Sequence, residues 1–256
     1  MVIQMRFKRT LALLAAFILL SVPARADDYG TQLFDMLTRQ LSPEEMTLQL
    51  SAQPTVDGYI PWGYLEAKNA KVRGMNIREL KIDCIDAKVT PPSEWEGRPY
   101  PKVESMKLCR AEGYFTEQDV NDYLKDRLFG HDKEWRNISV RMRNGRIEAT
   151  GYYLAKLALF TLKIRVDISC SIIGKGQGLY LDNIELRINT RKVAPSLVKA
   201  AIHKLQPFVD MKKFNLPLSL RKIDFRDGEC RVSSMLPPRP LNSGLKWELK
   251  NGTPQE

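Results

Sequence analysis

The sequence predicts an α+β domain of antiparallel sheet and amphipathic helices, either with each helix packed on the sheet or with a long, curved sheet wrapped around the helices. Three observations carry that expectation. Leu162, Ile164, Val166, Ile168, Cys170 and Ile172 alternate with Lys163, Arg165, Asp167, Ser169 and Ser171, the two-residue period of a half-buried strand. Two other stretches, 116–128 and 195–205, space their apolar residues as one face of a helix. Asn144-Gly145 between alternating runs is a strong signal for a two-residue hairpin turn.

In chain order, residues 1–26 read as a leader. Arg6, Lys8 and Arg9 precede an apolar run from Leu11 to Leu20, and Ala24-Arg25-Ala26 has the small-x-small form of a signal-peptidase site. The run is shorter than the roughly 20 residues a spanning helix needs. Cleavage after Ala26 and export to a periplasm are therefore expected. Tyr29, Leu33, Phe34, Leu37 and Leu41 then predict a short helix ended by Ser42-Pro43. Met46, Leu48 and Leu50 predict a strand. The segment 54–63 is rich in turn formers and carries Tyr59, Ile60 and Trp62. These are expected to pack as a lid on the core, with dipping into a bilayer interface as the alternative.

Strands are expected over 64–72 and 76–89, a breaker-rich loop at 91–99, and a strand from Lys102 to Gly113. This last strand leads into the first of the two amphipathic helices. Thr116 is placed to cap it, Asp119 to complete a capping box, and Phe115 and Val120 to form a hydrophobic staple. Val120, Tyr123, Leu124 and Leu128 share its apolar face, and Glu117, Asp122, Lys125 and Asp126 are expected to point away. Strands follow over 135–142, 146–153, 162–172 and 184–189. The Gly174-Lys175-Gly176-Gln177-Gly178 link lacks the Gly-Lys-Ser/Thr ending of a phosphate-cradling loop and reads as a turn. Pro195 opens the second amphipathic helix, strands close the domain over 216–225 and 229–233, and 235–256 is expected to be a loose tail. An edge strand at Leu245, Trp247 and Leu249 is the alternative there.

Loss of the leader takes the formal charge from +10 to +6. That balance suits contact with anionic head groups as well as ordinary solubility. No dense basic run with interleaved aromatics marks a nucleic-acid binder. Cys84, Cys109, Cys170 and Cys230 permit three disulfide pairings in an exported chain. Cys84 with Cys109 and Cys170 with Cys230 is the preferred set, with four free thiols as the alternative. The wide Cys spacing does not suit zinc. With two His residues, His131 and His203, no His-Glu-x-x-His pair and no Gly-x-Ser-x-Gly elbow, no catalytic constellation is visible. A binding protein without metal or cofactor is expected, and an enzyme is not.

The apolar positions could line a trough or simply fill a core, and periodicity does not separate the two. The segment 66–233 resembles the LmeA-like family of exported phospholipid-binding proteins of bacterial envelopes. It does so through Ala111-Glu112-Gly113-Tyr114-Phe115-Thr116-Glu117-Gln118-Asp119-Val120-Asn121-Asp122-Tyr123-Leu124, the strand pair about Asn144-Gly145, and the helix leading to Leu216-Pro217-Leu218. The resemblance implies a tubular lipid-binding-like fold and a groove for acyl chains, and brings no catalytic residues. The candidate lining is Val120, Tyr123 and Leu124 on the first helix, and Leu162, Ile164, Val166 and Ile168 on the long strand. Ile184, Leu186 and Ile188 stand opposite, and Leu197, Val198 and Ile202 lie on the second helix. The expected partners are a phospholipid or other acyl-chain lipid and, transiently, a membrane surface. The alternative is a non-enzymatic envelope scaffold with a filled core and protein-binding loops at 59–62 and 91–100.

Overall fold

The protein, seen in a computed structural model, is described over residues 28–129, 134–157, 160–203, 206–207, 209–214, 216–250 and 253–255. The expected leader and His131 lie outside these residues. The elements are α1 (Tyr29–Leu41), β1 (Glu45–Leu50), β2 (Tyr59–Val72), β3 (Met75–Val89), β4 (Val103–Thr116) and α2 (Glu117–Tyr123), which continues as a π-helical turn, Leu124–Phe129. Then come β5 (Trp135–Arg143), β6 (Arg146–Leu157), β7 (Phe160–Lys175), β8 (Gly178–Ile188), β9 (Arg191–Lys192), α3 (Pro195–His203) and β10 (Val209–Asp210). The chain closes with β11 (Leu220–Arg226), β12 (Glu229–Ser234), β13 (Leu245–Lys250) and β14 (Thr253–Gln255).

The α+β class holds, but the strands form two antiparallel sheets where one was expected. The first has the order β11-β12-β4-β3-β2-β1-β13-β14, and the second β10-β8-β7-β6-β5 with β9 paired to β8. No described helix is long and apolar enough to cross a membrane.

Register explains the first core. Cross-strand partners line up Leu249, Met46, Ala67 and Leu80 in one row and Trp247, Leu48, Leu65 and Ile82 in the next. α1 lays Leu33, Phe34 and Met36 on these rows. Gly30 permits the crossing, because a Cβ there would fall 2.3 Å from the Trp247 ring. The indole N–H of Trp247 donates to Thr31 Oγ1 at 2.8 Å. Trp95, from the loop after β3, is fully buried in the same cluster and donates to the Thr90 carbonyl at 2.6 Å. Ile60 is buried and Trp62 half-buried, so two of the three aromatic-loop side chains pack inward.

The opposite face of this sheet is polar, yet Tyr64, Asp83 and Arg110 on it are buried. Residues 235–244 cover them. The Arg239 N–H donates to Asp83, the Leu241 N–H donates to Gln49 Oε1 at 2.9 Å, and Leu241 is itself buried. Arg110 grips Asp83 with two donors. In place of the expected loose tail, the C-terminal segment is a strap that crosses the sheet and returns as β13, paired to β1. Two prolines in succession, Pro237-Pro238, hide this from periodicity because a strap has none.

The two sheets meet where their hairpin tips interlock. The Gly145 N–H donates to the Phe225 carbonyl, and the Gly228 N–H to the Met142 carbonyl at 3.0 Å. Asn144 and Gly145 both have positive φ, as that tight turn requires. Met142, Phe225 and Cys230 form the shared core, joined by Phe115 and Val120, so the two staple residues belong to one cluster.

Side chains close the edges of the second sheet. On β5 the Asn121 amide donates to the Val140 carbonyl at 2.9 Å and accepts from its N–H at 2.7 Å, and Glu117 accepts from the Met142 N–H at 2.8 Å. On β8, Gln206 accepts from the Leu181 N–H at 3.2 Å and donates to its carbonyl at 2.9 Å. Each carboxamide takes the place of a neighbouring strand, which blunts an edge that would otherwise invite pairing. Glu117, expected to point away, is thus turned onto β5.

All four cysteines are free thiols, which corrects the expected disulfides. Cys84 and Cys109 are nevertheless direct cross-strand partners. Burial pushes the Cys84 thiol up to about 11 and that of Cys109 to about 12. Both stay protonated at neutral pH, and a protonated thiol is a poor nucleophile.

Candidate functional site

In the second sheet, register gathers the alternating residues into rows on one face. Met142, Ile147 and Cys170 make the first row, and Val140, Ala149, Ile168 and Leu186 the second. Gly151, Val166 and Ile188 make the third, Trp135, Tyr153 and Ile164 the fourth, and Ala155 and Leu162 the last.

What covers these rows changes along the strands. The first lies under Phe225, Cys230 and Val120 and is sealed, with Met142 at 1% exposure. Over the second and third rows, among the described residues, Leu124 just past α2 reaches across and borders a cleft of about 340 Å³. Its floor and walls are Val166 and Ile168 on β7, Ala149, Thr150 and Gly151 on β6, and Trp135, Ile138 and Val140 on β5. Thr150 turns its hydroxyl to Asp167, to which it donates at 2.8 Å, and none of the described lining residues is charged. At the far end the aliphatics are open to solvent: Leu162 is 46% exposed and Ile188 41%. The face is a trough, blind at Met142 and open at Leu162.

Two irregularities shape it. Register slips between Arg136 and Ser139 on β5, where Asn137 has φ 52°, and between Ser169 and Ser171 on β7, opposite Asn183 with φ 48°. Bulges of this kind bend a strand and increase its twist. The first swings Ile138 over Gly151, where a Cβ would come within 3.0 Å of Ile138 Cγ1. Glycine at 151 therefore keeps the floor of the cleft low.

The reverse face of the sheet is charged. A polar hollow of about 600 Å³ there is lined by Arg141, Arg146, Arg165 and Arg187 together with Glu148, Asp167 and Glu185. Arg165 pairs with Asp167 at 2.9 Å, and Glu185 with Lys192 at 3.2 Å. Arg165 holds the Asp167 carboxyl below the ordinary carboxylate range, with burial opposing and the Thr150 hydroxyl helping.

Of the candidate lining residues, the cleft brings together Leu124, Val166 and Ile168. Leu186 stands beside Ile168 in the second row, and Ile188, Ile164 and Leu162 extend the same face toward the open end. Val120 packs into the sealed junction, and Tyr123 is half-buried on α2 but does not line the cleft. Ile184 is half-buried beside the β7–β8 bulge. On α3, Val198 is buried while Leu197 is 64% exposed, and the side chain of Ile202 lies outside the described residues. Trp135, Ile138, Val140, Ala149 and Gly151 were not foreseen. Ile138 and Val140 alternate with Met142, but the bulge at Asn137 puts Trp135 out of step with them by one residue, and Ala and Gly carry little apolar signal. Among the described residues no group of His, Cys, Asp and Glu is placed to hold a metal ion.

No family model, curated protein or solved structure matches the chain.

Proposed function

We propose that this is an exported, periplasmic lipid-binding protein. It holds the acyl chain of a phospholipid or similar amphiphile in the trough of the second sheet, for storage or transfer within the envelope and without turnover. The single observation that carries this reading is an apolar sheet face that runs out from under its own cover. Five rows of mostly apolar side chains begin in a sealed core and end exposed to water. Large exposed apolar surfaces on soluble domains mark binding sites, and the cleft falls within the roughly 300–1,000 Å³ of small-ligand sites.

The trough's polarity orients the ligand. The tail enters toward Met142 and Cys230, and the head group remains at the Leu162 end. Each methylene transferred from water contributes about 0.8 kcal/mol, so a chain laid along β7 is held without any specific polar contact. The LmeA-like resemblance and its tubular lipid-binding-like fold support the same reading. The test is uptake of a soluble fluorescent lyso-phospholipid by the chain beginning at residue 27. Wild type is expected to bind it, and Ile164→Asp and Leu186→Asp to lose binding while keeping the native circular dichroism. Binding unchanged in both folded variants would rule the trough out.

A further inference from the structure

The open end of the trough has a charge as well as an apolar character. β6 ends and β7 begins at one edge of it, where Leu157 pairs with Phe160, and β8 ends where Ile188 pairs with Val166. Two stretches supply that end: residues 155–157 with 160–163, and residues 185–199. α3 starts just past Val193, whose N–H donates to the Leu186 carbonyl at 2.9 Å, and Gln206 beyond it bonds Leu181. These two stretches hold Lys156, Lys163, Arg187, Arg191, Lys192 and Lys199 against a single carboxylate, Glu185. All six cations are exposed. Glu185 is already neutralised by Lys192 at 3.2 Å and Arg187 at 3.9 Å. The excess of five positive charges in these two stretches compares with +6 for the whole chain after residue 26. Among the cations stand Leu162, Ile188 and Leu197, each more than 40% exposed.

From this we infer that the open end is a docking surface for an anionic lipid bilayer. The aliphatics enter the interface and the six cations engage acidic head groups, so that the mouth of the trough faces the membrane. Basic residues near an anionic surface attract it additively, and exposed aliphatics add the apolar anchor. The site differs from the 54–63 loop to which the sequence directs attention, where Ile60 is buried in the first core. The inference rests on the trough being an acyl-chain site, since docking then delivers the mouth to the lipid.

Flotation of the chain beginning at residue 27 with two kinds of vesicle tests it: phosphatidylcholine alone, and phosphatidylcholine with a minority of phosphatidylglycerol. Wild type is expected to float with the anionic vesicles only, and to be released by salt. The triple variant Arg191→Gln, Lys192→Gln, Lys199→Gln should bind these vesicles roughly a hundredfold more weakly, with an unchanged melting midpoint and unchanged uptake of the lyso-phospholipid. Leu197→Ser, which removes an anchor without changing charge, should weaken binding several-fold. Equal binding to both kinds of vesicle, no binding to either, or a triple variant that binds as wild type does would overturn the inference. Failure of wild type to take up the lyso-phospholipid would instead sink the trough, and the vesicle arm reports independently of it.

Discussion

In the first sheet, Met46, Leu48 and Leu50 alternate with polar residues, and α1 with Trp95 covers the apolar side while the 235–244 strap covers the polar side. In the second, Leu162 to Ile172 alternate just as regularly, but the cover among the described residues is Val120 and Leu124, and Leu162 and Ile188 stand open to water. Alternation therefore says that a strand has two unlike faces. It does not say whether the apolar face meets protein, ligand or water. The difference between a core and a trough lies in what crosses above the sheet, and those crossing pieces carry weak signals. They are a proline-rich strap, a loop tryptophan and the last turn of a short helix.

The largest effect expected of this contrast lies beneath the strap. Arg110→Ala would leave Asp83 charged and buried without its partner, at a cost of about 3–5 kcal/mol, read as a lowered urea midpoint. A loss below about 1 kcal/mol would mean that water reaches this face and that the strap does not seal it. Next comes a matched pair of truncations. Leu50→Ala, at 1% exposure in the first core, should cost about 2–5 kcal/mol. Leu162→Ala, at the open end of the trough, should change stability by no more than about 0.5 kcal/mol. Similar losses at both sites would erase the distinction between the two sheets.

A smaller effect belongs to the plugged edge. Asn121→Ala strips both partners from Val140 and should cost about 1–3 kcal/mol. It should also produce concentration-dependent dimers on size exclusion, because the freed β5 edge can pair with a second chain. The smallest effect is in acid. Burial opposes ionisation of Asp119, but Arg78, Asn76 and Thr116 outweigh it and hold the carboxyl below the usual range. Its contribution is therefore full above the unfolded carboxylate value near 3.9 and is lost as pH falls through the lower folded value. In a pH series of melting midpoints, Asp119→Asn should lie below wild type at neutral pH and converge with it as pH falls through the lowered folded value.

Much of the strand order was legible in the sequence. The Thr116–Asp119 capping box is present as the spacing predicts, and the Asn144-Gly145 turn joins β5 to β6. Local chemistry set these features, so local reading found them. The division into two sheets was not legible, because it depends on which edges pair at long range. Nor were the roles of Asn121, Glu117 and Gln206, polar residues whose partners are backbone groups up to 25 positions away. Within the trough, the β7 residues were visible through their branched side chains. The β5 and β6 walls were hidden by a bulge, an alanine and a glycine, each placed by the shape of the cleft more than by hydrophobicity.

The proposed function stands on an acyl chain occupying the cleft above Ala149 and Val166. Native mass spectrometry of residues 27–256, purified from a bacterial periplasm without detergent, tests this most directly when wild type is run beside Ala149→Phe, which fills the cleft. The account predicts a near-stoichiometric lipid mass on wild type and its loss from the folded variant. An apo mass for both, unchanged after incubation with phospholipid vesicles, would contradict it.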